Sequence, residues 1–109
     1  MSILVAEIEF SGPHRTPVAI EEQAGIFVVM QEHNDKYEVI DFGYSENLKD
    51  DLADADEFES WTKQYPGVLF VGVHYISEAD KKLSGALVKN IEDWFETVEP
   101  PLVKQLQLV

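Results

Sequence analysis

Hydrophobic and polar residues alternate at the start of the chain. From residue 3 to residue 11 one side of this pattern carries the apolar residues Leu4, Ala6, Ile8 and Phe10. A period of two is typical of a strand with one buried and one solvated face, so we predict one half-buried strand here. The run Ser11-Gly12-Pro13-His14 ends it. Thr16-Pro17 then favours the start of a short helix, capped by Thr16.

The pattern is clearest over residues 25–52, around which the rest of the chain is organised. Two runs rich in β-forming residues flank a polar break at residues 32–36, which contains Asn34 and Asp35. This pattern predicts a β-hairpin with a five-residue turn.

A helix is predicted directly after the hairpin. We expect Gly43 to break the second strand and Ser45 to act as the N-cap of the helix. Leu48 and Leu52 supply the first pair of apolar residues at i,i+4 spacing.

The second half of the chain predicts two helices around one strand. Asp54 and Glu57 have capping-box spacing, and Phe58 with Trp61 lies one turn apart, which favours a helix over residues 55–64. The run 68–76 is almost continuously apolar, as in a central strand buried on both faces.

The longest predicted helix covers residues 78–98, from a Ser77–Asp80 capping box to Pro100-Pro101. Its apolar residues keep the helical period: Leu83, Leu87, Val88, Ile91, Trp94, Phe95 and Val98. Gly85 is expected to allow close backbone packing, with Gly72 as its counterpart. Residues 102–109 are predicted to form either an added strand or a frayed tail.

These elements predict an α/β (α+β) fold with a small, mainly antiparallel sheet of three to four strands, flanked by helices. The 109 residues suit a single domain that spans residues 1–109. The chain has no cysteine, which excludes disulfides and thiolate chemistry. No basic leader or apolar run of membrane-spanning length is found, so we expect a cytoplasmic protein without a membrane partner.

The net charge of the chain limits the kinds of molecule that it is expected to bind. The chain has 21 acidic and 8 basic residues and a formal net charge of −13. Nucleic-acid binding depends on Lys and Arg at phosphates, so this balance argues against it. A solvated acidic face favouring solubility is the simplest interpretation of the run 50–59. A basic protein is the partner that such a surface would attract.

Three elements together resemble the GIY-YIG nuclease domain over residues 25–101. That family has Gly-Ile-Tyr on one strand, Tyr-Ile-Gly on the next and a helix of the form Gly-x-Ser-x-Asn-Leu-x-x-Arg-Leu. A later helix carries a metal-binding Glu and often ends near Pro-Pro. The matching segments here are Gly25-Ile26-Phe27, Asp41-Phe42-Gly43, the Gly43–Leu52 segment with Ser45 and Asn47, and Pro100-Pro101, with Glu92 near the expected glutamate.

The chain differs from this family at the positions of the catalytic residues. The resemblance places Phe27 and Asp41 at the two tyrosines and Asp51 at the phosphate-binding arginine. A phenyl ring cannot transfer a proton. Losing a general base typically costs ~10²–10⁴ in rate, and losing a phosphate-clamping arginine costs on the order of 10³–10⁵. The resemblance therefore implies a degenerate, catalytically inactive member that serves as a binding or interaction module.

Two other functions stay open. One is a metal-dependent hydrolase with an altered acidic site (Asp41, Asp51, Glu92), and only this alternative would need a cofactor, Mg²⁺ held by Glu92. The other is an acidic mimic of nucleic acid. The matched segment and the only compact basic spot supply the candidate binding residues: Tyr44, Ser45, Asn47, His14 and Arg15. His74 is expected to be a hydrogen-bonded core histidine. The sequence leaves the partner's identity and the oligomeric state open.

Overall fold

The computed structural model describes residues 2–15, 20–53, 55–65 and 67–106. The helix predicted to begin at Thr16-Pro17 lies outside these residues. The elements in chain order are β1 (Ser2–Val5), β2 (Ile8–His14), β3 (Gly25–His33), β4 (Lys36–Ser45), α1 (Leu48–Leu52), α2 (Ala55–Gln64), β5 (Val68–Tyr75), a 3₁₀ helix (Glu78–Leu83), α3 (Ser84–Thr97) and β6 (Lys104–Leu106).

The alternating N-terminal run folds into two strands, so the prediction of one strand there is wrong. Ala6 and Glu7 both have positive φ angles, 51° and 65°, and form a tight turn between β1 and β2. Such turns usually contain Gly or Asn, which is why the sequence does not reveal this one. Val5 pairs with Ile8 across the turn. The turn shifts the buried face from odd-numbered residues in β1 to even-numbered residues in β2. Ile3, Val5 and Phe10 are therefore the fully buried residues.

The predicted hairpin is confirmed, but its turn has two residues rather than five. Asn34 and Asp35 adopt positive φ angles of 52° and 64°, which their short polar side chains tolerate. Strand β4 continues past Gly43 to Ser45, so Gly43 does not break it. It pairs directly with Phe27 on β3.

All strand pairs are antiparallel, and the sheet order is β4-β3-β5-β2-β1-β6. Strand β5 lies inside the sheet, as its apolar run predicts, and pairs along its whole length with β3. The predicted helix 55–64 is confirmed as α2.

Consecutive residues of β3 face two separate cores, because side chains alternate across a strand. Val28 belongs to the core that contains Ile91 of α3, which we call the α3 core. Val29 belongs to the core that contains Leu48 and Trp61, which we call the α1–α2 core. Helix α3 therefore covers one face of the sheet, and α1 with α2 covers the other.

The longest predicted helix is divided. Residues 78–83 form a 3₁₀ helix in which no residue is buried, and only α3 is α-helical. Leu83 is 49% exposed, so the apolar period extends beyond the packed part of the helix. The expected Gly85–Gly72 contact is wrong. A Cβ on Gly85 would meet nothing within 4 Å, whereas one on Gly72 would lie 2.8 Å from Ile3 Cδ1.

The C-terminal segment contacts strands at both ends of the strand order. The Val39 N–H donates to the Pro101 carbonyl, and the Val103 N–H donates to the Tyr37 carbonyl on β4. Strand β6 then pairs with β1 at the far end of the strand order. The predicted α+β class and antiparallel sheet are confirmed. The sheet has six strands rather than three to four, because the N-terminal run supplies two and the C-terminal segment adds one.

Candidate functional site

Phe27 packs between β4 and α2 in the α1–α2 core. Its ring centroid lies 6.3 Å from that of Trp61. A Cβ on Gly43, the residue paired with Phe27, would lie 3.1 Å from Phe27 Cζ. The glycine therefore leaves space that the phenyl ring occupies. At the position where the GIY-YIG resemblance implies a proton-transferring tyrosine, the structure has a packing contact.

Both carboxylate oxygens of Asp41 accept hydrogen bonds. Trp61 Nε1 donates to Oδ2 at 2.9 Å, and the Phe42 N–H donates to Oδ1 at 2.8 Å. The pairing register between β3 and β4 shifts at this point, so that Val29 pairs with Asp41 and Met30 with Val39. Such a bulge turns the side chain of Asp41 towards α2. This carboxylate joins a strand to a helix.

Ser45, Asn47 and Asp51 stabilise the start of α1. The Ser45 hydroxyl, which is 2% exposed, donates to the Asp51 carboxylate and accepts the Asn47 N–H at 3.0 Å. The N-cap is Asn47, whose Oδ1 accepts the Asp50 N–H at 3.2 Å, so the expectation that Ser45 is the cap is wrong. All three matched residues therefore have local partners that hold the helix in place.

Tyr44 belongs to a charged cluster on the other side of β4. Lys81 Nζ lies 3.0 Å from Glu46 Oε2 and 3.1 Å from Glu78 Oε1. Lys81 lowers the pKa of the Glu46 carboxyl by its hydrogen bond and its charge. Burial and the negative charge of Glu46 raise the pKa of Tyr44. A cavity of about 250 Å³ adjoins this cluster, between residues 22–24 and the start of the 3₁₀ helix.

The predicted site residues do not converge. Asp51 is exposed on α1, over one face of the sheet, and Glu92 is exposed on α3, over the other. The expectation that Phe27, Asp41, Asp51 and Glu92 surround one cleft is wrong. Among the described residues, no group of three or more His, Asp or Glu side chains is placed to hold a metal ion. The Mg²⁺ site of the hydrolase alternative does not fit this arrangement.

A second group of polar side chains, of which only His14 was predicted as a binding residue, lies on the sheet between β2 and β5. Ser11 Oγ and His14 Nε2 are 3.0 Å apart. Ser11 also lines a groove of about 450 Å³, together with Ser2, Glu9, Val73, His74 and Tyr75. Only the separation of Ser11 and His14 by three residues across Gly12-Pro13 could have suggested this pair.

His74 lines this groove, and His14 contacts it through Ser11. His74 Nδ1 lies 2.9 Å from the Glu9 carbonyl oxygen, which confirms the expected hydrogen bond. The expectation that His74 is a core residue is wrong, because the side chain is half-buried and lines the groove. His14 is half-buried, and burial lowers its pKa from the ordinary value of 6.5. Arg15, the other predicted binding residue of this loop, is exposed.

Few acidic side chains have a basic neighbour. Within the described part of the chain the ion pairs are those of Lys81 with Glu46 and Glu78 and a pair of 3.9 Å between Lys89 and Asp93. The acidic run 50–59 contributes Asp50, Asp51 and Glu59 as exposed residues. The side chains of Asp54, Asp56 and Glu57 lie outside the described set.

Comparison of the chain with models of known families, with curated proteins and with solved structures finds no match. The GIY-YIG resemblance therefore stays a prediction. In the part of the chain that the structure describes, no helix is both long and apolar enough to cross a membrane.

Proposed function

We propose that this chain is a cytoplasmic interaction domain that binds a basic protein, and that its nuclease-like positions stabilise the fold instead of cleaving nucleic acid. The bonding of Asp41 is the observation that supports a structural role for these positions. Both of its oxygens accept N–H donors, and the indole that bonds it also packs against Phe27. Each oxygen of this carboxylate is held by an N–H donor of the fold, which gives Asp41 a structural role.

The surface charge supports a basic partner. The chain carries 21 acids against 8 bases, and the ion pairs of the described residues involve only two of the lysines. Exposed carboxylates occur on both helical faces, with Asp50 and Glu59 on the α1–α2 face and Glu92 and Glu96 on α3. Complementary charge of this kind accelerates association with a basic surface and selects against acidic partners.

Two charge-matched variants can test whether binding depends on one face. Asp50→Asn/Glu59→Gln removes two negative charges beside α1 and α2, and Glu92→Gln/Glu96→Gln removes two from α3. We expect affinity capture from native extract to recover a basic protein with wild type and with the α3 variant, but not with the α1–α2 variant. The purified partner should then bind more weakly as salt rises, because exposed charges are screened over ~10 Å at 0.1 M.

Other capture results would contradict or narrow the proposal. If wild type and both variants capture the same proteins, the acidic residues form a solvated face and the proposal fails. If the two variants weaken capture equally, total charge controls binding and no face is specific. A captured protein that itself binds nucleic acid, and that nucleic acid displaces, would favour the narrower function of a nucleic-acid mimic.

A further inference from the structure

The side chains of Ser11 and His14 lie on the same face of the sheet. Ser11 pairs with Val73 and His14 with Val71, and both valines belong to the α1–α2 core. The register shifts between the two pairs, where Gly12 has a φ of 135°. Because of this bulge, residues three apart on one strand bring a hydroxyl and an imidazole to 3.0 Å.

His14 has the properties of a general base. Its Nε2 lies within the 2.6–3.2 Å that proton transfer requires. Burial lowers its pKa below 6.5, so the ring is mainly neutral near pH 7. A neutral imidazole protonated at Nδ1 has a lone pair on Nε2 that can accept the Ser11 proton.

The groove next to this pair has room for a small molecule. Its volume is about 450 Å³, and Ser11 is exposed along it. Tyr75 lines the same groove, and its hydroxyl oxygen accepts the Glu21 N–H at 3.0 Å. Glu9 adds an exposed carboxylate, which disfavours anionic ligands.

We propose that Ser11 is a nucleophile, His14 its general base and the groove a site for small, uncharged carboxylic esters. Ser11 Oγ bonds to the ester carbonyl carbon while its proton passes to His14 Nε2. The bond from that carbon to the alcohol oxygen then breaks, and the alcohol leaves with the proton from His14. Water attacks the acyl-serine in the same way, which releases the carboxylic acid and restores Ser11.

This site shares no residue with the nuclease-like positions or with the proposed acidic interaction surface, so either proposal can fail without the other. The titratable side chains that line the groove are Glu9, His74 and Tyr75.

The experiment combines hydrolysis of p-nitrophenyl acetate with labelling by a fluorophosphonate, and the labelled residue is located by peptide mapping. We expect the label on Ser11 and its loss in Ser11→Ala. We expect His14→Gln to slow hydrolysis by about 10²-fold or more, the usual contribution of a general base. Ser60→Ala, which removes an exposed hydroxyl from α2, is the control and should react like wild type.

A pH profile separates this mechanism from background chemistry. As pH increases, the rate of hydrolysis by wild type should rise through the pKa of His14, below 6.5, and then level off. The rate of direct attack by hydroxide instead keeps rising with pH. Labelling of a lysine, of His14 itself or of another serine would overturn the proposal. Equal rates for wild type and Ser11→Ala would do the same. Ser11 is exposed, so its replacement by alanine leaves the fold intact for this comparison.

Discussion

The indole N–H of Trp61 donates to Asp41 Oδ2 at 2.9 Å, which connects residues 20 positions apart in the chain. Trp61 is a residue of α2, is 8% exposed and belongs to the α1–α2 core. The Trp61 side chain thus packs beside Phe27 and also donates a hydrogen bond to the Asp41 carboxylate on β4. This pair therefore connects α2 to the hairpin.

Replacing Trp61 with Phe should destabilise the protein by about 1–3 kcal/mol, because a hydrogen bond to a charged group is lost and a smaller ring fills the site. Urea unfolding of wild type, Trp61→Phe, Asp41→Ala and the double variant measures the coupling between the two side chains. We expect a coupling energy of about 0.5–3 kcal/mol. Additive effects would show that the hydrogen bond contributes nothing to stability.

Alanine should have opposite effects at two glycines. Gly43→Ala places a methyl group 3.1 Å from the Phe27 ring and should cost about 1–3 kcal/mol through overpacking. Gly85→Ala, at an exposed site of α3 with nothing within 4 Å, should stabilise by about 0.5–1 kcal/mol because alanine is the better helix former. Thermal melting of both variants tests this, and a shift of the same sign in both would contradict it.

Restoring the family's residues should not create a nuclease. We expect no Mg²⁺- or Mn²⁺-dependent nicking of plasmid by wild type or by Phe27→Tyr/Asp51→Arg, because Glu92 lies on the helix that covers the opposite face of the sheet. Metal-dependent nicking by the double variant that Glu92→Ala abolishes would contradict the structure at this point. It would also revive the hydrolase alternative.

The lowered pKa of His14 predicts a pH effect on stability. Well above pH 6.5 the ring is neutral in both the folded and the unfolded chain, because the folded pKa is lowered from 6.5 by burial. Below it the unfolded chain takes up a proton first, so the free energy of unfolding falls as pH falls towards the pKa of the folded state. His14→Gln should therefore lose less stability than wild type between pH 7 and pH 5, measured by urea midpoints. Between pH 7.5 and pH 9 the urea midpoints of the two proteins should change with pH in parallel. If the midpoints also change in parallel between pH 7 and pH 5, the effect is refuted.

Local patterns sufficed for the elements whose partners are nearby in the chain. The 25–45 hairpin follows from two β-rich runs around Asn34-Asp35, and α2 follows from its capping-box spacing and apolar period. The apolar run of β5 also predicted its place inside the sheet. Apolar periodicity identifies a buried face, and burial on both faces requires neighbours on both sides.

The positions of chemical groups depended on contacts that the sequence pattern does not encode. Ala6-Glu7 turns without Gly or Asn, and a bulge places Asp41 on β4. The hydrogen bond from Trp61 to Asp41 can form only when α2 packs on the sheet. Glu92 was separated from Asp51 because α1 and α3 cover opposite faces. The sequence by itself determined the fold class, the central hairpin and the excess of acid. The tertiary structure alone decided which side chains meet, because strand alternation assigns each residue to a face only after the register is known.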